Sequence, residues 1–349
     1  MFSSCFVSVH KKFIYKISKS FQSIIDIILM RRNAMFSKRR IAPYLMETLP
    51  RLERRLPKNH ASRKLTAQHH YQITAGFGGE QEVDKKLEKM RWHTERMVLC
   101  DFHLQSEIQP CQIDTVILTP FYALVLEVKN YSGSLDFKDG TNHMEQTTRE
   151  GDRFGFHSPI NQVLTASEEL EILLRQLAIP LPIYPVVVLP YSRTLYTRAP
   201  ETVPVVYAHS LGRFISRLPR TGHSLTSAEL AAVSEQVLAH HTPFPKINYQ
   251  KEYFYQPEQL RTGVLCAQCD ARAIKESERI HACRHCGTRL DDGYAQALED
   301  WFEFASPTIN NAQCRRFLEL KDKHAATYLL KKMNLSPSGH STQRSYTRV

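Results

Sequence analysis

Three charged residues stand among apolar neighbours near the middle of the chain. Asp114 lies in Gln112-Ile113-Asp114-Thr115-Val116-Ile117-Leu118, and Glu127 and Lys129 lie in Leu124-Val125-Leu126-Glu127-Val128-Lys129-Asn130. Both stretches have the composition of β-strands, and Thr119-Pro120 supplies a turn between them, so they read as a hairpin. Side chains alternate along a strand, which puts Glu127 and Lys129 on one face and Leu126 and Val128 on the other. Asp114, on the neighbouring strand, can sit beside Glu127. Two carboxylates so placed repel, and one of them is kept neutral unless a cation intervenes. Mg²⁺, or Mn²⁺ in its place, suits such a pair, because it takes one or two carboxylates together with water and phosphate oxygens. The ion would lower the pKa of a bound water and stabilise charge developing on a phosphate. Lys129 could hold or activate that water, or neutralise the phosphorane. The competing reading is a cross-strand ion pair on a solvated face, since Glu-x-Lys on a strand is common by itself. The apolar runs on both strands weigh against it, because buried charges need partners or a metal.

Two more polar residues join these. Glu80 lies three residues before Val83 and seven before Leu87, hence on the apolar stripe of a helix. Charge complementarity at a helix N-terminus would also account for it. Gln162 sits in the first turns of a later helix, beside Ile160 and Val163, where a capping or surface role competes. A separate cluster lies towards the C-terminus. Cys266-Ala267-Gln268-Cys269 and Cys283-Arg284-His285-Cys286 form two CxxC pairs thirteen residues apart. Four thiolates suit a tetrahedral Zn²⁺ that is structural, because no coordination position stays open. A redox dithiol is the alternative. Arg272, Lys275, Arg279, His281, Arg284, His285 and Arg289 decorate the module, which either staples the C-terminal region or contacts phosphates without base specificity. Cys5, Cys100, Cys111 and Cys314 read as ordinary thiols.

The elements that must hold these residues follow from pattern. Residues 41–64 read as a basic helical arm cut into pieces by Pro50 and Pro57. The arm is either a packing element or a clamp on phosphates. Gly76-Phe77-Gly78-Gly79 loosens the backbone, and a helix with Val83, Leu87 and Met90 on one face follows. Strands are expected over 96–102, 112–119, 122–130, 183–189 and 203–207. Gly133, Gly140, Gly151 and Gly155 mark a loop-rich passage. Ser158-Pro159 opens a helix that runs to about Ala178. Helices are expected again near 226–240, 293–305 and 311–333. The Ser/Gly-rich tail over 336–349 is expected to lack structure.

These residues resemble a known family. Gly78-Gly79-Glu80 opening a helix, Gln112-Ile113-Asp114, Glu127-Val128-Lys129-Asn130 with Gly133 behind it, and Pro159-Ile160-Asn161-Gln162 together resemble the nuclease-related domain (NERD) family. That family belongs to the PD-(D/E)xK restriction-endonuclease-like superfamily. The resemblance covers roughly residues 74–195. It implies an α/β fold with a restriction-endonuclease-like core, a central mixed sheet flanked by helices. It also implies that Asp114 and Glu127 are metal ligands and Lys129 is the catalytic lysine, with Glu80 an auxiliary acid and Gln162 a supporting polar group. The leader from Met35 to Ser62, with Arg55-Leu56-Pro57-Lys58-Asn59-His60, also looks like that of bacterial members. The domain's name records relatedness to nucleases and does not by itself establish cleavage.

The bulk properties bound the rest. The chain has 349 residues, 42% of them hydrophobic, which allows one to three domains. Its net charge of +11 is unevenly spread. Residues 1–75 hold fifteen Lys and Arg against three Asp and Glu, so the remainder is close to neutral. The organisation this suggests is an extension over 1–34, a basic leader over 35–73, the nuclease-like domain over 74–195 and a connecting region over 196–260. A zinc-ribbon-like module over 261–292, helices over 293–335 and the tail complete it. Met35 is a plausible genuine start. Residues 11–32 form a basic, partly apolar segment that could rest on a membrane, but Phe21 to Met30 is too short to span one. The clustered cysteines point to a reducing, cytoplasmic setting, since a disulfide framework would be denser. The leading expectation is a metal-dependent nuclease acting on nucleic acid, DNA in the first instance. The alternative is a nucleic-acid-binding module that keeps the fold without useful turnover.

Overall fold

The computed structural model describes residues 35–105, 110–138, 142–198, 200–222, 224–244, 246–277 and 279–348. The expectations about residues 1–34, Cys5 among them, lie outside these. In chain order the elements are β1 (Phe36–Lys38), α1 (Leu45–Arg55), α2 (Ser62–Lys89), β2 (Met97–Leu104), β3 (Cys111–Leu118), β4 (Ala123–Val128), β5 (Gly133–Lys138), β6 (His143–Thr147) and β7 (Arg153–His157). There follow α3 (Pro159–Gln176), β8 (Ile183–Leu189), β9 (Thr194–Arg198), β10 (Val205–Tyr207), α4 (Leu211–Ser216), α5 (Ser227–Leu238) and α6 (Tyr249–Glu252). The last are β11 (Ala273–Lys275), β12 (Ile280–Cys283), β13 (Arg289–Asp291), α7 (Gly293–Phe304), β14 (Thr308–Asn310), α8 (Asn311–Leu318), α9 (Lys323–Lys332), β15 (Leu335–Ser338) and β16 (Ser345–Arg348). No helix among the described residues is long and apolar enough to cross a membrane.

The chain divides into two units. The first comprises the described residues up to Ile41 together with Gly76–Phe244. Its centre is a six-stranded mixed sheet in the order β1-β2-β3-β4-β8-β10. Strands β2, β3 and β4 run antiparallel, while β8 lies parallel to β4 and β10 parallel to β8. Both faces are covered. Val163, Leu170 and Leu174 of α3 and Leu230, Val233 and Val237 of α5 pack on one side with Val116, Val125 and Val187. Val83 and Leu87 of α2 and Leu211 and Ile215 of α4 pack on the other with Ile117, Leu124, Leu126 and Val186. Burial on both faces explains why β4 and β8 read as continuous apolar runs.

Several expectations need correction here. The passage expected to be loop-rich is a second, four-stranded sheet in the order β7-β6-β5-β9. Gly151 sits at a turn and Gly155 within β7, Gly140 lies outside the described residues, and Gly133, at φ +82°, starts β5 where a Cβ would strike the Thr147 carbonyl. Helix α2 does not open at the glycines; it starts at Ser62 and runs through them. Gly79 is there because the backbone comes close to its neighbours: an added Cβ would lie 2.9 Å from Cβ of Asn130. The stretch treated as a connecting region supplies β10, α4 and α5 to this unit.

The second unit comprises Ala42–Ala75 and the described residues of Pro245–Val349. Its core joins Leu49, Leu52 and Leu56 to Tyr249, Tyr253, Tyr255, Trp301, Phe304 and Phe317. Pro50 lies inside α1 without breaking it, and the helix ends where Leu56 turns extended before Pro57. The arm's arginines are largely engaged inside the unit. Arg51 and Arg55 both bind Asp300 at 2.8 Å, and Arg55 also donates to the carbonyls of Arg261 and Gly263. Arg63 and Arg54 reach Asp270 at 3.0 and 3.5 Å. The tail expected to lack structure forms a three-stranded sheet, β14-β16-β15, with Tyr346 buried. Polar composition said nothing of this, because the stabilisation comes from backbone pairing with residues 308–310.

Candidate functional site

Strands β3 and β4 are paired with Thr115 opposite Leu126, which brings Asp114 and Glu127 to facing positions at one end of the hairpin. Both are buried, Asp114 at 7% and Glu127 at 1% exposure. Asp114 Oδ2 accepts from the Val128 N–H at 2.8 Å, which locks it across the ladder. Lys129 follows β4 directly, and its Nζ lies 2.6 Å from Glu127 Oε1. Glu80, from α2, completes the group and is 18% exposed at its side chain.

Electrostatics reflect this crowding. Burial, and then repulsion from Asp114, pushes the Glu127 carboxyl up to about 8 against the pull of Lys129. Burial also raises Glu80, to about 7, with Asp114 adding and Arg40 opposing. Asp114 is raised by burial too, although Lys129 and the Val128 N–H favour its charged form. Burial works to lower Lys129, but Glu127 and Asp114 outweigh it, so the ammonium stays protonated. Such a pair of buried, mutually repelling carboxylates has the donor chemistry of a hard divalent cation held with water and phosphate oxygens. Glu80, Asp114 and Glu127 do not converge into a three-carboxylate cradle; among the described residues only the four cysteines form a cluster of that kind. Gln162 stands in the first turn of α3 with an exposed side chain. The geometry therefore brings together Glu80, Asp114, Glu127 and Lys129.

Residues that the sequence reading missed surround this group. Arg40, buried at 3% exposure, reaches Glu80 at 2.8 Å, Asp84 at 2.9 Å and Asp101 at 2.6 Å. Lys38 Nζ donates to the carbonyls of Cys100 and Asp101. Asp101 breaks the β2–β3 ladder and lies at φ +49°. The available signals were a lone acid in an apolar strand and a basic pair, Arg39-Arg40, just before it in the fold; neither stands out without the pairing of β1 with β2.

The cysteine module is built by two knuckles. The first turns back where Asp270 N–H donates to the Cys266 carbonyl, with Asp270 at φ +59°; the second where Gly287 N–H donates to the Cys283 carbonyl, with Gly287 at φ +75°. The Sγ atoms of Cys266 and Cys286 lie 3.5 Å apart, those of Cys269 and Cys283 3.4 Å, and those of Cys269 and Cys286 3.5 Å. All four lie within 4.8 Å of one another. These spacings are too long for disulfides. They approach the ~3.8 Å edge of a tetrahedron with ~2.3 Å metal–sulfur bonds. Strands β11, β12 and β13 complete a small antiparallel sheet, so the arrangement is compatible with a zinc ribbon.

No curated protein and no solved structure matches the chain. The family model of the nuclease-related domain matches residues 75–190. That span contains the hairpin, Glu80 and helix α3, so over residues 75–190 the chain is similar to the nuclease-related domain family.

Proposed function

We propose that this protein is a Mg²⁺-dependent nuclease that hydrolyses phosphodiester bonds of nucleic acid, with DNA as the substrate. The observation that carries the reading is the buried Asp114–Glu127 pair with Lys129 2.6 Å from Glu127. Asp114 and Glu127 would hold the ion, which when bound supplies a Lewis acid and an acidified water. Lys129, 2.6 Å from Glu127, would serve as a charge and hydrogen-bond donor to the phosphorane. Glu80, at the edge of the pair and held by Arg40 at 2.8 Å, would be an auxiliary acid. Zn²⁺ at Cys266, Cys269, Cys283 and Cys286 holds the second unit's ribbon and takes no part in the chemistry.

The test is incubation of purified protein with linear, circular, single-stranded and branched DNA, with and without Mg²⁺ or Mn²⁺. Cleavage should need the metal. Asp114→Ala and Glu127→Ala should abolish it, while Lys129→Ala keeps metal binding and loses turnover by roughly 10²–10³-fold or more. DNA binding should survive in Asp114→Ala, or tighten, as repulsion of phosphate falls. If the wild type cleaves nothing across this panel yet binds DNA, the fold serves as a binding platform and the enzyme reading is wrong.

A further inference from the structure

Arg40 has an unusual position for a residue of a basic leader. All five of its guanidinium hydrogens have acceptors. Nε donates to Asp84 at 2.9 Å. Nη1 serves Glu80 at 2.8 Å and Asp101 at 2.6 Å. Nη2 serves the Asp114 carbonyl and Thr115 Oγ1, both at 2.9 Å. The group is thus a fixed point charge, placed against the backbone of a candidate ligand and three carboxylates. Five carboxylates, Glu80, Asp84, Asp101, Asp114 and Glu127, lie close enough to influence one another. Two cations, the buried Arg40 and the half-buried Lys129, face them, and Lys38 borders Asp101 through its carbonyl. In nucleases with two metal ions a second divalent ion compensates such an acidic surplus. Here a guanidinium already lies among the acids that a second ion would need. It also leaves Asp114 Oδ2 on the Val128 N–H and Glu127 on Lys129, the two side chains that no arginine contact engages.

We propose that Arg40 is a positioning residue that acts as the resident second cation: it takes up Glu80, Asp84 and Asp101, leaves Asp114 and Glu127 as the ligand pair, and makes this a one-metal site. The inference rests on the metal-dependent reading above and goes beyond it by setting the number of ions. A lysine would not reproduce the arrangement, because it has three donors where five are used.

The experiment is a Mn²⁺ titration of the zinc-loaded full-length protein, with free Mn²⁺ followed by electron paramagnetic resonance. Wild type should bind one Mn²⁺ per chain. Arg40→Met keeps side-chain length and removes the charge, and should bind two, because the freed carboxylates then need a cation. Two ions on the wild type, or one on a folded Arg40→Met protein, would overturn the proposal. If circular dichroism shows that Arg40→Met does not fold, Asp101→Asn with Arg40 intact decides. It should still bind one Mn²⁺ with affinity weaker by at most about tenfold, the loss of one nearby charge. Loss of the ion there would make Asp101 a ligand and overturn the proposal. Failure of the nuclease reading looks different: one Mn²⁺ binds as expected, and no substrate is cleaved. Absence of any Mn²⁺ binding overturns both.

Discussion

Glu127 keeps its proton far above the ordinary carboxylate range because burial and Asp114 disfavour the anion more than Lys129 favours it. This has a consequence for stability. The carboxyl titrates near 4.5 when exposed and near 8 in the folded protein, and Glu80 moves in the same direction, to about 7. Between those values the folded chain holds protons that the unfolded chain has released, so raising the pH costs stability. The contribution is fully present below about 4.5 and lost as the pH passes through about 8. Melting temperature in Mg²⁺-free buffer should therefore fall from about pH 5 to about pH 9, and added Mg²⁺ should flatten the slope by taking the place of the proton. A flat profile without Mg²⁺ would mean that the pair is not protonated. A second residue-scale expectation concerns neighbouring glycines of α2. Gly78 has open space where a Cβ would go, whereas at Gly79 that Cβ would meet Asn130 at 2.9 Å and Pro190 at 3.1 Å. Gly78→Ala should stabilise by up to about 1 kcal/mol through helix propensity. Gly79→Ala should instead destabilise by about 1–3 kcal/mol through overpacking. Chemical denaturation of the two variants checks the opposite signs.

At the scale of elements, the hairpin was readable because two apolar, β-branched runs and a Thr-Pro turn are local signals. Most of the corrections concern long-range pairing; the start of α2 at Ser62 and the unbroken α1 at Pro50 are local. The glycines of α2 mark a close approach to Asn130, a residue about fifty positions on, and only the fold shows it. The leader helix α1 is basic, but its arginines compensate Asp300 and Asp270 instead of facing solvent together. Asp300→Ala would strand the buried Arg55 charge and should cost about 3–5 kcal/mol. Asp300→Asn, which keeps part of the hydrogen bonding, should cost less, and urea denaturation of both distinguishes a charge effect from packing. The cysteine knuckles make a separate expectation. One Zn²⁺ per chain should be found by elemental analysis, and Cys266→Ser should lose it together with protection of 261–292 from hydrogen exchange. Protein purified without chelator and free of zinc would remove this assignment.

At the scale of the molecule, the second unit is assembled from two stretches that lie on either side of Gly76–Phe244 in sequence. Leu49, Leu52 and Leu56 of α1 are fully buried against residues beyond 245. A linear cut after Phe244 therefore removes the partners of a helix that stays behind. Each of these leucines then loses roughly 1.5–3 kcal/mol of burial. The truncated chain should be far less soluble than the full one. Deleting 42–64 should harm the second unit in the same way, so weaker DNA binding after that deletion would not by itself show a phosphate contact. Light scattering of the two truncations is the measurement; monodisperse, folded material ending at 244 would contradict this account.

Asp114, Glu127 and Lys129 were legible because they interrupt apolar strands, and the four cysteines because CxxC spacing is local chemistry. Strand and helix positions over 112–130, 159–178 and 183–189 followed from apolar runs, the Thr119-Pro120 turn, and the Ser158-Pro159 helix start with its apolar stripe. What the sequence left open was which distant residues share the pocket. Arg40 follows β1, Asp84 lies on α2 and Asp101 on β2, and they have no common spacing. They meet only because β1 lies beside β2 and α2 covers the sheet. The resemblance grouped Gln162 with the site, yet its side chain is exposed on the first turn of α3. The reason is physical: side-chain period within an element is a property of the local backbone, whereas compensation of buried charge is settled by whichever partners the packed layers bring within a few ångströms.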